Sequence, residues 1–311
     1  MNAGGGATRH YDLAEDGGRP VVAAKLSKVY RGGVQALRDV DLEIVPGEIT
    51  GVVGPNGAGK TTLLKILLGF EKATSGLATV YGLDPWRHRT ESLANIGYVP
   101  QSTALYAGLT VADHLSLARF NRPTLDIEHA KTRLAALGIS GRSQARRLSG
   151  GQQAQLLLSI ALATHARLLL LDEPLGSLDP LARREFLGVF REAVGVDGTT
   201  VIMTSHIVSD IEEVCTSLAV IGTGQVRLHG SISAALERHI VTDAQQDIPE
   251  ATLVGSFAEP SGRLSALWRL NEAFLTGDQQ QGHANGAPSS LNDLVLGYLS
   301  GPGKPAERTV A

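Results

Sequence analysis

The sequence is poor in several things at once, and each shortage excludes something. Cysteine occurs only as Cys215, so an intramolecular disulfide is impossible and a reducing compartment is expected. Long apolar runs are missing. The longest, Leu156 to Ala163 and Leu168 to Leu171, are separated by Thr164, His165, Ala166 and Arg167. A membrane-spanning helix needs about 20 mostly apolar residues, so no crossing of a bilayer is expected. The N-terminal stretch MNAGGGATRHYDLAEDGGRP is polar and glycine-rich, which excludes a secretory signal and predicts a flexible leader over residues 1–20. Positive charge is not in excess: 28 Lys and Arg face 31 Asp and Glu, a net charge of −3. No global basic field points to nucleic acid, which is not an expected partner. What is plentiful is apolar content, 43%, enough to fill a sizeable core and to exclude a wholly disordered chain. The expectation is a cytosolic protein.

From Val21 the pattern becomes β-like, in VVAAKLSKVY and DVDLEIVPGEITGVVG, short apolar or alternating runs punctuated by glycine. Past Gly59, TTLLKILLGF places apolar residues at helical spacings of three and four. LATVYG and NIGYVPQ read as strands, whereas VADHLSLARF, HAKTRLAALGI and GGQQAQLLLSIALAT read as helices. LLLLDEP then reads as a buried strand, LARREFLGVFREAV as a helix and TTVIMTSH as another strand. Strands alternating with helices predict an α/β fold with a mainly parallel sheet. The helix-only middle predicts an α-helical subdomain inserted at about 104–165, within a domain spanning 21–239. Residues 240–311 shift to glutamine, glycine and mixed charge, with an apolar stretch at LSALWRLNEAFL. SSLNDLVLGYL reads as an amphipathic helix opened by a Ser290-x-x-Asp293 cap, followed by a tail. No long β-rich segment is expected in this C-terminal extension.

The strongest motif is Gly54-Pro55-Asn56-Gly57-Ala58-Gly59-Lys60-Thr61, followed by Thr62. It fits G-x-x-x-x-G-K-[ST] between a strand run and a helix. Glycines let successive backbone N–H groups point inward at phosphate oxygens, and the helix dipole adds to that field. Lys60 can reach the β- and γ-phosphates, and the Thr61 hydroxyl can ligate Mg²⁺. A glycine-rich turn alone would only make a corner; the lysine-threonine pair goes beyond that need. The second element is Leu168–Leu171 followed by Asp172 and Glu173. A carboxylate at the end of a buried strand lies where α/β proteins bind ligands. Asp172 can help hold Mg²⁺ as in P-loop NTPases, and Glu173 can act as general base on a water attacking the γ-phosphate. Alone, such an acidic pair is commonly a cap; beside an intact P-loop it reads as catalytic.

Leu148-Ser149-Gly150-Gly151-Gln152 sits between these two elements at the start of a helical run. As a bland feature it is a Ser cap and a turn, but in this order it resembles the signature motif of ABC ATPases. Other elements resembling that family follow suit. Gln101 after GYVPQ matches the Q-loop, Ser177-Leu178-Asp179 the D-loop, His206 the switch histidine, and Tyr30 the aromatic that stacks on adenine. The resemblance covers about residues 21–236. It implies a P-loop NTPase core with an antiparallel β subdomain, and ATP with Mg²⁺ sandwiched between two subunits of a homodimer or heterodimer. Ser149, Gly150, Gly151 and Gln152 would act in trans, with Asp179 at the dimer interface. Glu173 would be the base, His206 the γ-phosphate contact and Gln101 a Mg²⁺ or water ligand. One departure is Gln153-Ala154-Gln155 after the signature, where the family commonly has a basic residue.

With no spanning segment of its own, an ABC ATPase of this kind implies a separate integral-membrane permease, placing the chain at the inner face of the membrane. The segments VYGLDPWRHRTESLANIGYVPQ, ALYAGLTVADHLSLAR and SLDPLARREF resemble the type-2 exporter class for drugs, antibiotics or lipids. Coupling to the permease is expected near Gln101 to Leu117. The alternative is a soluble ABC ATPase acting on ribosomes or nucleic acid. Such proteins typically carry two cassettes, a coiled-coil insertion or zinc cysteines, and the sequence shows one P-loop, no sustained heptads and one cysteine.

Overall fold

The computed structural model describes residues 18–102, 105–176, 178–249, 251–259, 261–271 and 286–301. Most of the anticipated leader, Ser177 of the D-loop, the glutamine-rich stretch and the tail lie outside the described residues.

The centre is a six-stranded sheet in the order β5-β6-β7-β3-β8-β9. Its strands are β3 (Ile49–Val53), β5 (Ile96–Val99), β6 (Leu168–Asp172), β7 (Thr200–Ser205), β8 (Ser217–Gly222) and β9 (Gln225–Ser231). All neighbours run parallel except the β8–β9 pair. Every residue of β6 and β7 is buried, which is why LLLLD and TVIMTS read as continuous rather than alternating. Successive side chains point to opposite faces of a strand, and the sheet accordingly has two cores. Leu168, Leu170, Ile202 and Ala219 meet helix α1 (Lys60–Leu67) and an antiparallel sheet on one face. Leu169, Leu171, Val201, Met203 and Val220 meet Leu158 of α5 (Gly150–Leu162), Phe186 and Phe190 of α6 (Pro180–Asp197) and Ile211 of α7 (Val208–Val214) on the other.

The antiparallel sheet is β2-β1-β4, built from β1 (Val21–Val29), β2 (Gln35–Ile44) and β4 (Ser75–Val80). It joins the β8–β9 turn through a hydrogen bond from Arg38 N to Gly224 O of 2.8 Å. A six-residue α2 (Arg89–Ala94) precedes β5. Between β5 and β6 the chain forms α3 (Val111–Asn121), α4 (Ile127–Ala136), a 3-10 turn (Ala145–Arg147) and α5. These gather their own core of Val111, Leu115, Leu134, Ile139, Leu148 and Leu156, which is what makes the helical segment a unit.

The C-terminal region corrects one expectation. After α8 (Ile232–Glu237), strands β10 (His239–Asp243), β11 (Ala251–Ala258), β12 (Leu264–Leu270) and β13 (Ala287–Pro288) form an antiparallel sheet in the order β11-β12-β10-β13. The glutamine-rich composition comes from the connection between β12 and β13, whereas ATLVGSFA and LSALWRL are rich enough in apolar and β-prone residues to pair. The amphipathic helix is present as α9 (Leu291–Ser300), opened by a capping box between Ser290 and Asp293. Leu291, Leu294 and Val295 join the core that contains Val220 and Ile211, so the extension is fastened to the central sheet. Among the described residues, no helix is long and apolar enough to cross a membrane.

Candidate functional site

Parallel strands bring their carboxyl ends to one edge, and in this sheet each candidate catalytic residue follows one of four neighbouring strands. Gln101 comes after β5, Glu173 after β6, His206 after β7 and the Gly54–Lys60 loop after β3. The strand order β5-β6-β7-β3 therefore assembles the site from segments far apart in sequence.

The loop from Gly54 to Gly59 is shaped by close backbone approach. A Cβ on Gly54 would lie 2.1 Å from Ile221 O, and one on Gly59, at φ 107°, would lie 2.5 Å from Ala36 O. Only glycine fits there. The loop ends at the N-terminus of α1, whose first residue is Lys60. The Lys60 ammonium, 5% exposed as a residue, folds back to donate to Gly54 O at 2.8 Å and pairs with Glu173 Oε1 at 3.2 Å.

Glu173 is the hub. Its Oε2 accepts from Gln101 Nε2 at 3.1 Å and from His206 Nδ1 at 3.1 Å. Its backbone sits in the left-handed region at φ 46°, unusual for a non-glycine residue and common where function constrains the chain. Next to it Asp172 Oδ1 accepts from Thr61 Oγ1 at 3.2 Å and Thr204 Oγ1 at 2.8 Å. Burial pushes the Asp172 carboxyl above the usual range, against the hydrogen bonds from Thr204 and Thr61. A hydroxyl and a carboxylate held together give the hard oxygen donors that Mg²⁺ takes, and the glycine-shaped loop suits a phosphate chain. The residues fit a magnesium nucleotide.

Tyr30 reaches the same neighbourhood: its hydroxyl is 3.4 Å from Thr62 Oγ1, and Lys28 Nζ stands 4.9 Å from its ring centroid. The signature residues are placed differently. Ser149 caps α5, accepting from Gln152 N at 3.2 Å while Gln152 Oε1 accepts from Ser149 N at 3.0 Å. Asp179 caps α6, accepting from Leu181 N and Ala182 N at 3.0 Å each. A Cβ on Gly151 would lie 2.6 Å from Ala182 Cβ, so the starts of α5 and α6 are side by side. The hydrogen bonds of Ser149, Gln152 and Asp179 described above stay within their own helix starts, unlike those that gather on Glu173.

Two supports escaped the sequence reading. Thr204 Oγ1 touches both acidic residues, donating to Asp172 and accepting from Glu173 N at 2.9 Å. Its pairing with Asp172 across β6 and β7 is a matter of register, which only its place two residues before His206 could have hinted at. The second is a strut behind His206. Ser205 Oγ donates to Asp210 Oδ2 at 3.0 Å, and buried Asp210 pairs with Arg183 of α6 at 3.1 Å.

The chain is similar to known proteins. The family described as "ABC transporter" matches residues 37–176. An uncharacterized ABC transporter ATP-binding protein of Synechocystis is 32% identical over 291 residues, covering 87% of this chain and 76% of its own. A sulfate/thiosulfate import ATP-binding protein of Gloeobacter violaceus is 36% identical, covering 78% and 68% respectively. The solved structure of a dimeric bacterial ABC transporter cassette superposes with a TM-score of 0.61 at 25% identity, over 68% of this chain and 98% of that one. With a phosphate loop, a strand-end carboxylate pair and this likeness over most of both chains, the protein belongs to the ATP-binding proteins of ABC transporters.

Proposed function

We propose that this chain hydrolyses ATP to drive a separate membrane permease, in a site completed by a second ATPase subunit. The observation that carries the reading is the convergence of Lys60, Gln101 and His206 on the Glu173 carboxylate, beside the Thr61 and Asp172 oxygens.

The backbone N–H groups of residues 54–60 and the α1 N-terminus receive the phosphates, and Tyr30 stacks on adenine. The Lys60 ammonium exchanges its Glu173 partner for phosphate oxygens, so a buried cation stays paired throughout. Glu173, released from Lys60 but held by Gln101 and His206, accepts the proton of the attacking water. Thr61, Asp172 and Gln101 would hold Mg²⁺, which when bound neutralises charge on the phosphate oxygens. Ser149, Gly150, Gly151 and Gln152, with Asp179, act on the partner subunit's nucleotide; the adjacency of the α5 and α6 starts supports their forming one surface. Tyr106, Leu117 and Phe120 expose apolar area on the helical segment, which supports permease contact there and coupling by rigid-body movement. Export is the direction we favour, on the resemblance of residues 80–101, 104–119 and 177–186 to exporter ATPases.

The test uses Glu173→Gln with ATP and Mg²⁺. A trapped dimer on size-exclusion chromatography, wild-type hydrolysis that rises more than linearly with protein concentration, and co-purification of a polytopic membrane protein are expected. A chain that stays monomeric with ATP, or that recovers ribosomes instead, overturns the composite transporter site.

A further inference from the structure

Away from the phosphate loop, one group of three metal-ligating side chains converges among the described residues. Asp126, His129 and His165 each offer a ligand atom, and these atoms lie within 4.8 Å of one another. Asp126 and His129 stand at the start of α4, whereas His165 lies in the turn between α5 and β6. We propose that Asp126, His129 and His165 form a site for a borderline divalent transition metal of the zinc class, bridging the helical segment to the central sheet.

The donor set is the first argument. Two imidazoles and one carboxylate suit zinc, which takes nitrogen and oxygen ligands at about 2.1 Å, placing ligand atoms about 3.4 Å apart in a tetrahedron. The Asp126 Oδ2 to His165 Nε2 distance is already 3.4 Å. All three residues are exposed, so the His129 ring can turn inward and a fourth position stays open to water.

The second argument is that the backbone holds the ligands in place before any metal arrives. Asp126 Oδ1 is committed to capping α4, accepting from His129 N at 2.9 Å, which leaves Oδ2 turned to the histidines. Asp126 N donates to Ala163 O at 2.9 Å, so the two ligand-bearing segments are tied together beside the site. His165 takes a left-handed backbone at φ 47°, a conformation that disfavours a side chain. Glycine would meet the turn's needs more easily, yet a histidine stands there facing Asp126. The His129 and His165 rings meet edge to face at 5.3 Å between centroids. A metal here would fasten the start of α4 to the turn that leads into β6.

The test takes the full chain, stripped with a chelator, and titrates zinc alone by calorimetry. His165→Gly removes a ligand while relaxing the left-handed turn, so loss of binding cannot be blamed on unfolding. Asp126→Asn keeps a capping oxygen and removes the charge. Wild type should bind one equivalent of zinc more than His165→Gly, and Asp126→Asn should weaken that equivalent roughly tenfold or more. Cobalt substituted at the site should give visible absorption bands in wild type that His129→Ala and His165→Gly lack. Zinc should raise the melting temperature of wild type but not of His165→Gly, whose metal-free form melts no lower than wild type. Identical isotherms and cobalt spectra for wild type and His165→Gly would overturn the site.

Discussion

Asp172, proposed to help hold Mg²⁺, carries a cost in stability. It is 1% exposed, and burial raises its carboxyl above the ordinary range although Thr204 and Thr61 both donate to it. A raised carboxyl means that the folded chain holds its proton more tightly than the unfolded chain. The stability penalty therefore develops as pH rises from the ordinary carboxylate value and is complete once pH has passed the folded value. Asp172→Asn keeps an oxygen for both hydroxyls and removes the charge. Without nucleotide, the variant should melt above wild type near neutral pH. Its Mg²⁺-dependent hydrolysis should fall to background. The gain should shrink as pH is lowered into the carboxylate range. An equal gain at every pH, measured by calorimetric scans, would contradict the burial account. At this scale Lys60, Thr61, Asp172 and Glu173 were legible because the motif fixes their spacing. Thr204 and Asp210 were not, since nothing in a sequence states which residue lies opposite Asp172 across two strands.

Elements differ in how openly they announce themselves. Helix α9 was readable because its capping box and apolar periodicity are local properties. The sheet it packs on was missed, because its strands are separated by stretches whose composition argues for loops. Close approach, not periodicity, governs that contact. A Cβ on Gly255 of β11 would lie 2.2 Å from Gly297 O of α9, and one on Gly297 would lie 2.5 Å from a Leu267 methyl. Gly255→Ala meets backbone, which cannot swing aside, so it should destabilise the docked helix by about 1–3 kcal/mol. Limited proteolysis should then cut near residues 286–301 sooner than in wild type, with ATP binding unchanged. Earlier loss of ATP binding than of protection would show that the damage reaches the phosphate loop instead.

At the scale of the whole molecule, His239 links the C-terminal sheet to the helices beside the ATPase core. Its Nδ1 donates to Ala235 O and its Nε2 lies 3.0 Å from the Tyr298 hydroxyl of α9, which donates to it. Burial, followed by Arg269 and Arg238 nearby, lowers its affinity for a proton, with the Ala235 carbonyl opposing. The unfolded chain then protonates first, so stability is present at neutral pH and is lost as pH falls below about 6.5. Melting temperature should drop more steeply from about pH 7 to about pH 5.5 in wild type than in His239→Gln. Parallel curves would place the acid sensitivity elsewhere.

Taken by itself, the sequence determined the chemistry's parts list: a phosphate loop, a strand-end acid pair, a signature turn and an alternation of strands and helices. All of these are written within a few consecutive residues, where covalent spacing and side-chain period decide the outcome. The tertiary structure decided what those parts face. Gln101 and His206 meet on the Glu173 carboxylate because β5, β6 and β7 are neighbours in the sheet. The C-terminal strands pair because burial against α9 and each other outweighs their loop-like surroundings. Strand order and long-range burial depend on the free energy of the whole chain, so no local stretch records them.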